Sequence, residues 1–211
     1  MSTLRLFLWI MVAVALFGFG ALAVSGYSLR SNGIAGAGPL PGASLGGPFQ
    51  LLDQQGKLVT EAIFRGKPSI TLFGYTHCPD VCPTGLMQMA SWAEELGPEA
   101  DRLRFVFVTV DPERDTQQVV GDYVTAFSEH IVGITGEPEA VHAMTKDYKI
   151  YSRQVPLENG DYTMDHTASM ILQDADGNFV GTIDNKEAAD VGLAKLRRLV
   201  AGWSRANLAP P

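Results

Sequence analysis

Leu6 to Val24 is a run of nineteen residues without a single charge, close to the roughly 20 apolar residues that a helix needs to cross a bilayer. It is too apolar, and is followed by too much glycine, to join the core of a water-soluble domain, so it divides the chain. Residues 1–30 are expected to form an amino-terminal transmembrane anchor. Ala21-Leu22-Ala23 also has the small-x-small pattern of a signal-peptidase site, which would make the run a cleavable signal. Its length exceeds the usual apolar region of a signal peptide, roughly 7–15 residues, and favours retention. Ser31 to Pro48 is rich in Gly, Ala and Pro and uncharged, the composition of a flexible tether at 31–48. Residues 49–211 remain for one domain, a length that buries a core without staples.

Arg5 precedes the apolar run and Arg30 follows it, so charge orients it only weakly, and a short inner tail with an outer domain is the simpler topology. Five residues before the run leave no room for an Arg-rich organelle presequence. The expectation is a single-pass protein of a bacterial inner (cytoplasmic) membrane, its carboxy-terminal domain facing the periplasm. A formal net charge of -7 and the lack of any basic run exclude nucleic acid as the natural partner, because phosphate binding needs clustered Lys and Arg.

Within the domain, Phe49-Gln50-Leu51-Leu52, Asp53 to Gly56 and Leu58-Val59-Thr60 read as a short hairpin around a glycine turn. Ser69 to Tyr75 and Leu103 to Val110 read as buried central strands. Pro83 to Leu96, Thr116 to Phe127 and Glu137 to Tyr148 have helical spacing or helix start signals. Ile150 to Val155 reads as extended, Ser169 to Gln173 and Phe179 to Ile183 as a hairpin, and Glu187 to Trp203 as a closing amphipathic helix. This order predicts an α/β fold, a thioredoxin-like sandwich with a central mixed sheet flanked by helices.

The chain has two cysteines, Cys78 and Cys82. A disulfide across three residues closes too short a loop to stabilise the fold much, so chemistry is the better use of the pair, with an accidental or structural pair as the plain alternative. They fall where a central strand meets the next helix, a position where amide donors and the helix dipole favour thiolate. Two sulfurs about one helical turn apart can converge on a metal, and they can equally form a redox-active disulfide. Asp165-His166-Thr167 precedes the strand at Ser169, where a thioredoxin-like sandwich usually carries a cis-proline facing the cysteine turn. No proline occurs from Leu157 through Ala209. A His166 imidazole with two thiolates suits Cu(I), whereas a closed zinc site wants four ligands.

His77 is the nearest competitor of His166, while His130 and His142 read as ordinary surface or core residues. Asp111 and Asp165 are candidates for hydrogen bonding around the site, although Asp111 to Asp115 also reads as a polar loop with a helix cap at Asp115. Met87 and Met89 have helical spacing and read as packing residues rather than copper ligands.

Cys78-Pro79-Asp80-Val81-Cys82-Pro83, Asp111-Pro112-Glu113-Arg114-Asp115-Thr116 and Asp165-His166-Thr167 resemble, in order and separation, the motifs of the Sco/SenC family of cytochrome c oxidase assembly proteins. The likeness covers about Phe49 to Trp203. It implies a thioredoxin-like fold, an amino-terminal anchor, and one copper ion held by Cys78, Cys82 and His166. It further implies delivery of copper to the dinuclear copper site of the oxidase subunit that accepts electrons from cytochrome c.

On this reading the chain is a metallochaperone first. Its partners would be the copper-accepting subunit of a terminal oxidase, an upstream copper donor and a thiol reductant, since an oxidising periplasm would otherwise close the cysteine pair. The alternative is a membrane-tethered thiol-disulfide reductase that keeps acceptor cysteines reduced. A peroxidase on the same fold would need a peroxidatic cysteine poised for sulfenic acid chemistry, a reading that the CxxxC pair disfavours.

Overall fold

Every residue of β3 (Ser69–Gly74) is buried, and its side chains alternate between two cores. Ile70 and Leu72 enter one apolar cluster and Phe73 the other, the pattern of a strand covered on both faces. The structure, a computed structural model, describes residues 45–158 and 160–208. The anchor expected at 1–30 and nearly all of the tether lie outside the described residues, among which no helix is long and apolar enough to cross a membrane.

The other strands are β1 (Leu51–Asp53), β2 (Leu58–Val59), β4 (Arg104–Thr109), β5 (Ile131–Thr135), β6 (Ser152–Pro156), β7 (Tyr162–His166), β8 (Met170–Gln173) and β9 (Phe179–Ile183). The helices are α1 (Val81–Leu96), α2 (Gln117–Thr125), α3 (Pro138–Asp147) and α4 (Ala189–Leu208). Seven strands form one sheet in the order β2-β1-β5-β4-β3-β8-β9, and β6 and β7 pair separately. β3, β4 and β5 run parallel, whereas β1, β8 and β9 are antiparallel to their neighbours. Leu86, Met89 and Trp92 of α1, Val120 and Val124 of α2 and Leu196 of α4 cover one face of the sheet. Val141 and Met144 of α3 cover the other, with Phe49, Phe64 and Tyr148. The result is the expected mixed-sheet, thioredoxin-like sandwich.

Two elements differ from the sequence reading. β5 was not anticipated, because five residues interrupted by Gly133 give a weak apolar pattern. The glycine is there for a packing reason, since a Cβ at Gly133 would lie 2.6 Å from Val120 of α2. β7 was also unread, because in the β6–β7 hairpin only Met164 is buried and no clean alternation marks the strands. Helix α1 starts at Val81 rather than Pro83, with Asp80 at its amino-terminal cap. Pro83 then sits in the first turn, where its missing N–H leaves no bond unmade.

Leu86 is fully buried on the core face of α1. Leu86→Ala is expected to cost about 2–5 kcal/mol, read as a lower urea midpoint of the soluble domain. A loss below about 0.5 kcal/mol would mean that α1 does not pack on the sheet as described.

Candidate metal centre

β3 ends at Gly74, and Tyr75 to Asp80 turn the chain into α1. The amide of Cys78 donates to the Tyr75 carbonyl at 3.2 Å, closing a turn that points Cys78 back toward the helix. Cys82 lies in the first turn of α1, and its amide faces the Cys78 sulfur at 3.4 Å. Gly74 makes room for the second thiol, because a Cβ there would stand 2.6 Å from Cys82 Sγ. Cys82 is fully buried and Cys78 nearly so, and both are free thiols.

His166 ends β7, with its Nε2 3.5 Å from Cys82 Sγ. Its Nδ1 lies 2.9 Å from the Thr167 carbonyl. A carbonyl can only accept, so Nδ1 carries the proton and Nε2 keeps a bare lone pair toward the sulfurs. The ring stands edge-on to Tyr75, centroids 5.6 Å apart and planes at 89°. The donor atoms of Cys78, Cys82 and His166 all lie within 4.8 Å of one another, close enough to share one ion.

The thiols are electrostatically unequal. A hydrogen bond from Cys82 pulls the Cys78 pKa well below the ordinary thiol range against the opposing effect of burial, with further help from the amides of Asp80 and Cys82. The Cys82 thiol is pushed up by that same hydrogen bond, by burial and by the Cys78 charge. Without metal, thiolate character is therefore favoured on Cys78 and the proton on Cys82. A metal that binds both sulfurs must displace it.

The SCO1/SenC family model matches residues 37–201. The chain belongs to the SCO1/SenC family. It is 40% identical over 155 residues to "Protein SCO1 homolog 1, mitochondrial" of Arabidopsis thaliana, covering 72% of this chain and 46% of that protein. The chain spans about half the length of such curated relatives. Among solved structures it is similar to Bradyrhizobium japonicum ScoI with copper bound, at 44% identity and TM-score 0.70, covering 74% of this chain and 99% of that one. It is also similar to yeast Sco1 with copper bound, at 35% identity and TM-score 0.68, covering 75% and 89% of the two chains.

Other residues singled out in this Sco-family sequence fall in different places. Asp111 is buried away from the donor atoms, its carboxylate accepting from Arg114 Nε at 2.6 Å and from the Tyr162 hydroxyl at 2.8 Å. It reaches β7 through Tyr162, and the cysteine turn through its carbonyl, which accepts from the Asp115 amide at 2.9 Å. Asp165 points outward, its side chain 56% exposed and 3.9 Å from Arg153, because neighbours along a strand face opposite sides and His166 faces the thiols. The Thr167 carbonyl holds the histidine proton instead. His77 is half exposed and turns to Thr76 Oγ1 at 3.1 Å, and His130 and His142 are exposed. Met89 is core, but Met87 is 56% exposed on α1 rather than packed.

Asp115 is not the helix cap. Thr116 is, its side chain accepting from the Val119 amide. The Asp115 carboxylate is buried and accepts from the Thr76 amide at 3.0 Å, Thr76 Oγ1 at 2.6 Å and Thr109 Oγ1 at 2.7 Å. It thereby ties the start of the cysteine turn to the end of β4. The following Thr, itself a capping residue, is the sequence signal that leaves Asp115 available for this role.

The unequal thiols make a testable difference. In the reduced, metal-free protein, Cys78 is expected to be alkylated first, its rate nearly flat from about pH 8 down to about pH 6 because a lowered pKa keeps it thiolate. Cys82 should react slowly and lose reactivity as pH falls. Mass mapping of iodoacetamide adducts reads both, and equal rates with the same pH slope would contradict the assignment.

Proposed function

We propose that this chain is a membrane-tethered copper chaperone that carries one copper ion on Cys78, Cys82 and His166 and delivers it to the dinuclear copper site of cytochrome c oxidase during assembly. The observation that carries the reading is the meeting of two thiol sulfurs and one imidazole nitrogen within 4.8 Å, from two separate elements of the fold. Two soft thiolates and an imidazole suit copper, particularly Cu(I) with its low coordination number, better than a closed four-ligand zinc site. Copper is the cargo here. The similar ScoI and Sco1 chains described with copper bound support the same choice of metal.

Each residue then has a distinct task. Cys78 offers a thiolate from the start, Cys82 becomes a ligand on losing its proton, and His166 presents Nε2 because Thr167 holds its Nδ1 proton. Release to an acceptor proceeds by exchange of these ligands for the acceptor's own. Residues 1–30 serve as the transmembrane anchor and 31–48 as the tether, while 49–211 form the copper-carrying domain on the periplasmic side of a bacterial cytoplasmic membrane. The partners are the copper-accepting oxidase subunit, a copper donor and a reductant that keeps the thiols open, with no nucleic acid. The apolar run at Leu6–Val24 and the absence of a basic run support this placement.

A second reading, a thiol-disulfide reductase acting on acceptor cysteines, draws on the unequal thiols. A low-pKa Cys78 beside a protonated Cys82 is a plausible attacking pair. The two readings separate at His166. In reduced, anaerobic protein, one copper per chain is expected, with Cys78→Ala, Cys82→Ala and His166→Ala each weakening it by roughly 100-fold, about 2.8 kcal/mol. Competition against a Cu(I) chelator measures this. Failure of reduced wild type to hold copper, with acceptor disulfides still reduced by His166→Ala, would favour the reductase.

A further inference from the structure

The strand that carries His166 belongs to a two-stranded sheet separate from the main one. Such a hairpin is only marginally stable alone in water, and Met164 is the one buried side chain of its two strands. Tyr162, Met164 and His166 alternate along β7 and so share a face. The position of the third copper ligand therefore depends on what fastens this hairpin to the domain.

Arg114, on the loop after β4, makes the densest fastening. Its Nε donates to Asp111 at 2.6 Å, and its Nη1 donates to the Tyr162 carbonyl at 2.9 Å and to Asp161 at 3.2 Å. Its guanidinium carbon lies 3.7 Å from the centre of the Tyr162 ring and 5.9 Å from that of Tyr75, the ring that also meets His166 edge-on. The Tyr162 hydroxyl closes the circuit by donating to Asp111 at 2.8 Å. A hydrogen bond between the Tyr75 and Thr163 hydroxyls, at 2.7 Å, adds to it. One planar cation thus holds the start of β7 by backbone, carboxylate and aromatic face at once. Lysine cannot reproduce that combination, because it lacks the rigid fork and the flat stacking surface.

We propose that Arg114 is a positioning residue for copper binding: clamped between Asp111 and Tyr162, it holds the β6–β7 hairpin in register so that His166 reaches the two thiols. The copper part of this inference rests on the ligand assignment proposed above, but the clamp itself concerns the metal-free fold. Arg114 bonds to none of the three donor atoms and acts on His166 through β7 and the Tyr75 ring.

The test compares Arg114→Ala and Arg114→Lys with wild type in two measurements. Amide hydrogen exchange of the metal-free protein is expected to quicken by roughly tenfold or more across β6 and β7 in both variants, with β3 and β4 unchanged. Unchanged hairpin exchange, or full protection restored by lysine, would overturn the clamp even if copper binds as proposed. Cu(I) affinity is expected to fall by roughly 10–100-fold in Arg114→Ala. Adding His166→Ala to Arg114→Ala should weaken binding no further than His166→Ala alone, since the arginine acts through that ligand. Losses that multiply would overturn the positioning role. Wild type and His166→Ala binding copper equally would instead defeat the ligand assignment, and with it the copper half of the inference, while the exchange data decide the clamp separately.

Discussion

Parallel pairing of β3 with β4 is the constraint on which the site depends. Their register aligns Gly74 with Thr109, so both strands end at one edge of the sheet and release their following loops side by side. β8 runs antiparallel to β3, with Thr71 opposite Ile171, so the chain entering β8 arrives at that same edge. Three segments distant in sequence, the cysteine turn, the Asp111–Asp115 loop and the end of the β6–β7 hairpin, are thereby brought together. The buried Asp115 carboxylate at the end of that loop fastens the first two, receiving Thr76 from the cysteine turn and Thr109 from the end of β4. Its burial raises its own pKa, a cost that the three hydrogen bonds offset only in part.

At that edge the chemistry is set by where protons reside. The Thr167 carbonyl takes the imidazole proton to Nδ1, and the Cys82 thiol leans its proton on Cys78. The site then has one ready thiolate, one ready nitrogen and one sulfur that must lose a proton. Such a centre is poised to take a soft cation, and a reversible proton on Cys82 gives a route for giving it up. The same inequality supports thiol exchange, which explains why one pair of cysteines invites both a carrier and a reductase reading.

Much of this was legible in the sequence because it is local. The central strands around Ile70 and Phe107, the helix after Cys82 and the terminal hairpin carry strong apolar patterns, and the CxxxC pair announces itself by spacing. His166 was reached by a topological argument about the residues before β8, and the structure places it beside Cys82 on a strand of its own. What sequence alone did not reveal is long-range or exposed. β5 is hidden by the glycine that lets α2 approach, β7 by its wet faces, and Asp115 by its resemblance to a cap. Asp165 misled because adjacency along the chain suggested proximity, while strand alternation sends neighbouring side chains to opposite sides. Met87 misled in the other direction, since helical spacing does not say where the covered face of a helix ends.

The central claim is that Cys78, Cys82 and His166 together are the copper ligands. X-ray absorption at the copper edge of the reduced, copper-loaded full chain tests it most directly. The account predicts a shell of two sulfur scatterers and one nitrogen scatterer with the outer-shell pattern of an imidazole, the nitrogen disappearing in His166→Ala. A shell of sulfur alone in the wild type, or an imidazole signature that survives His166→Ala, would contradict it.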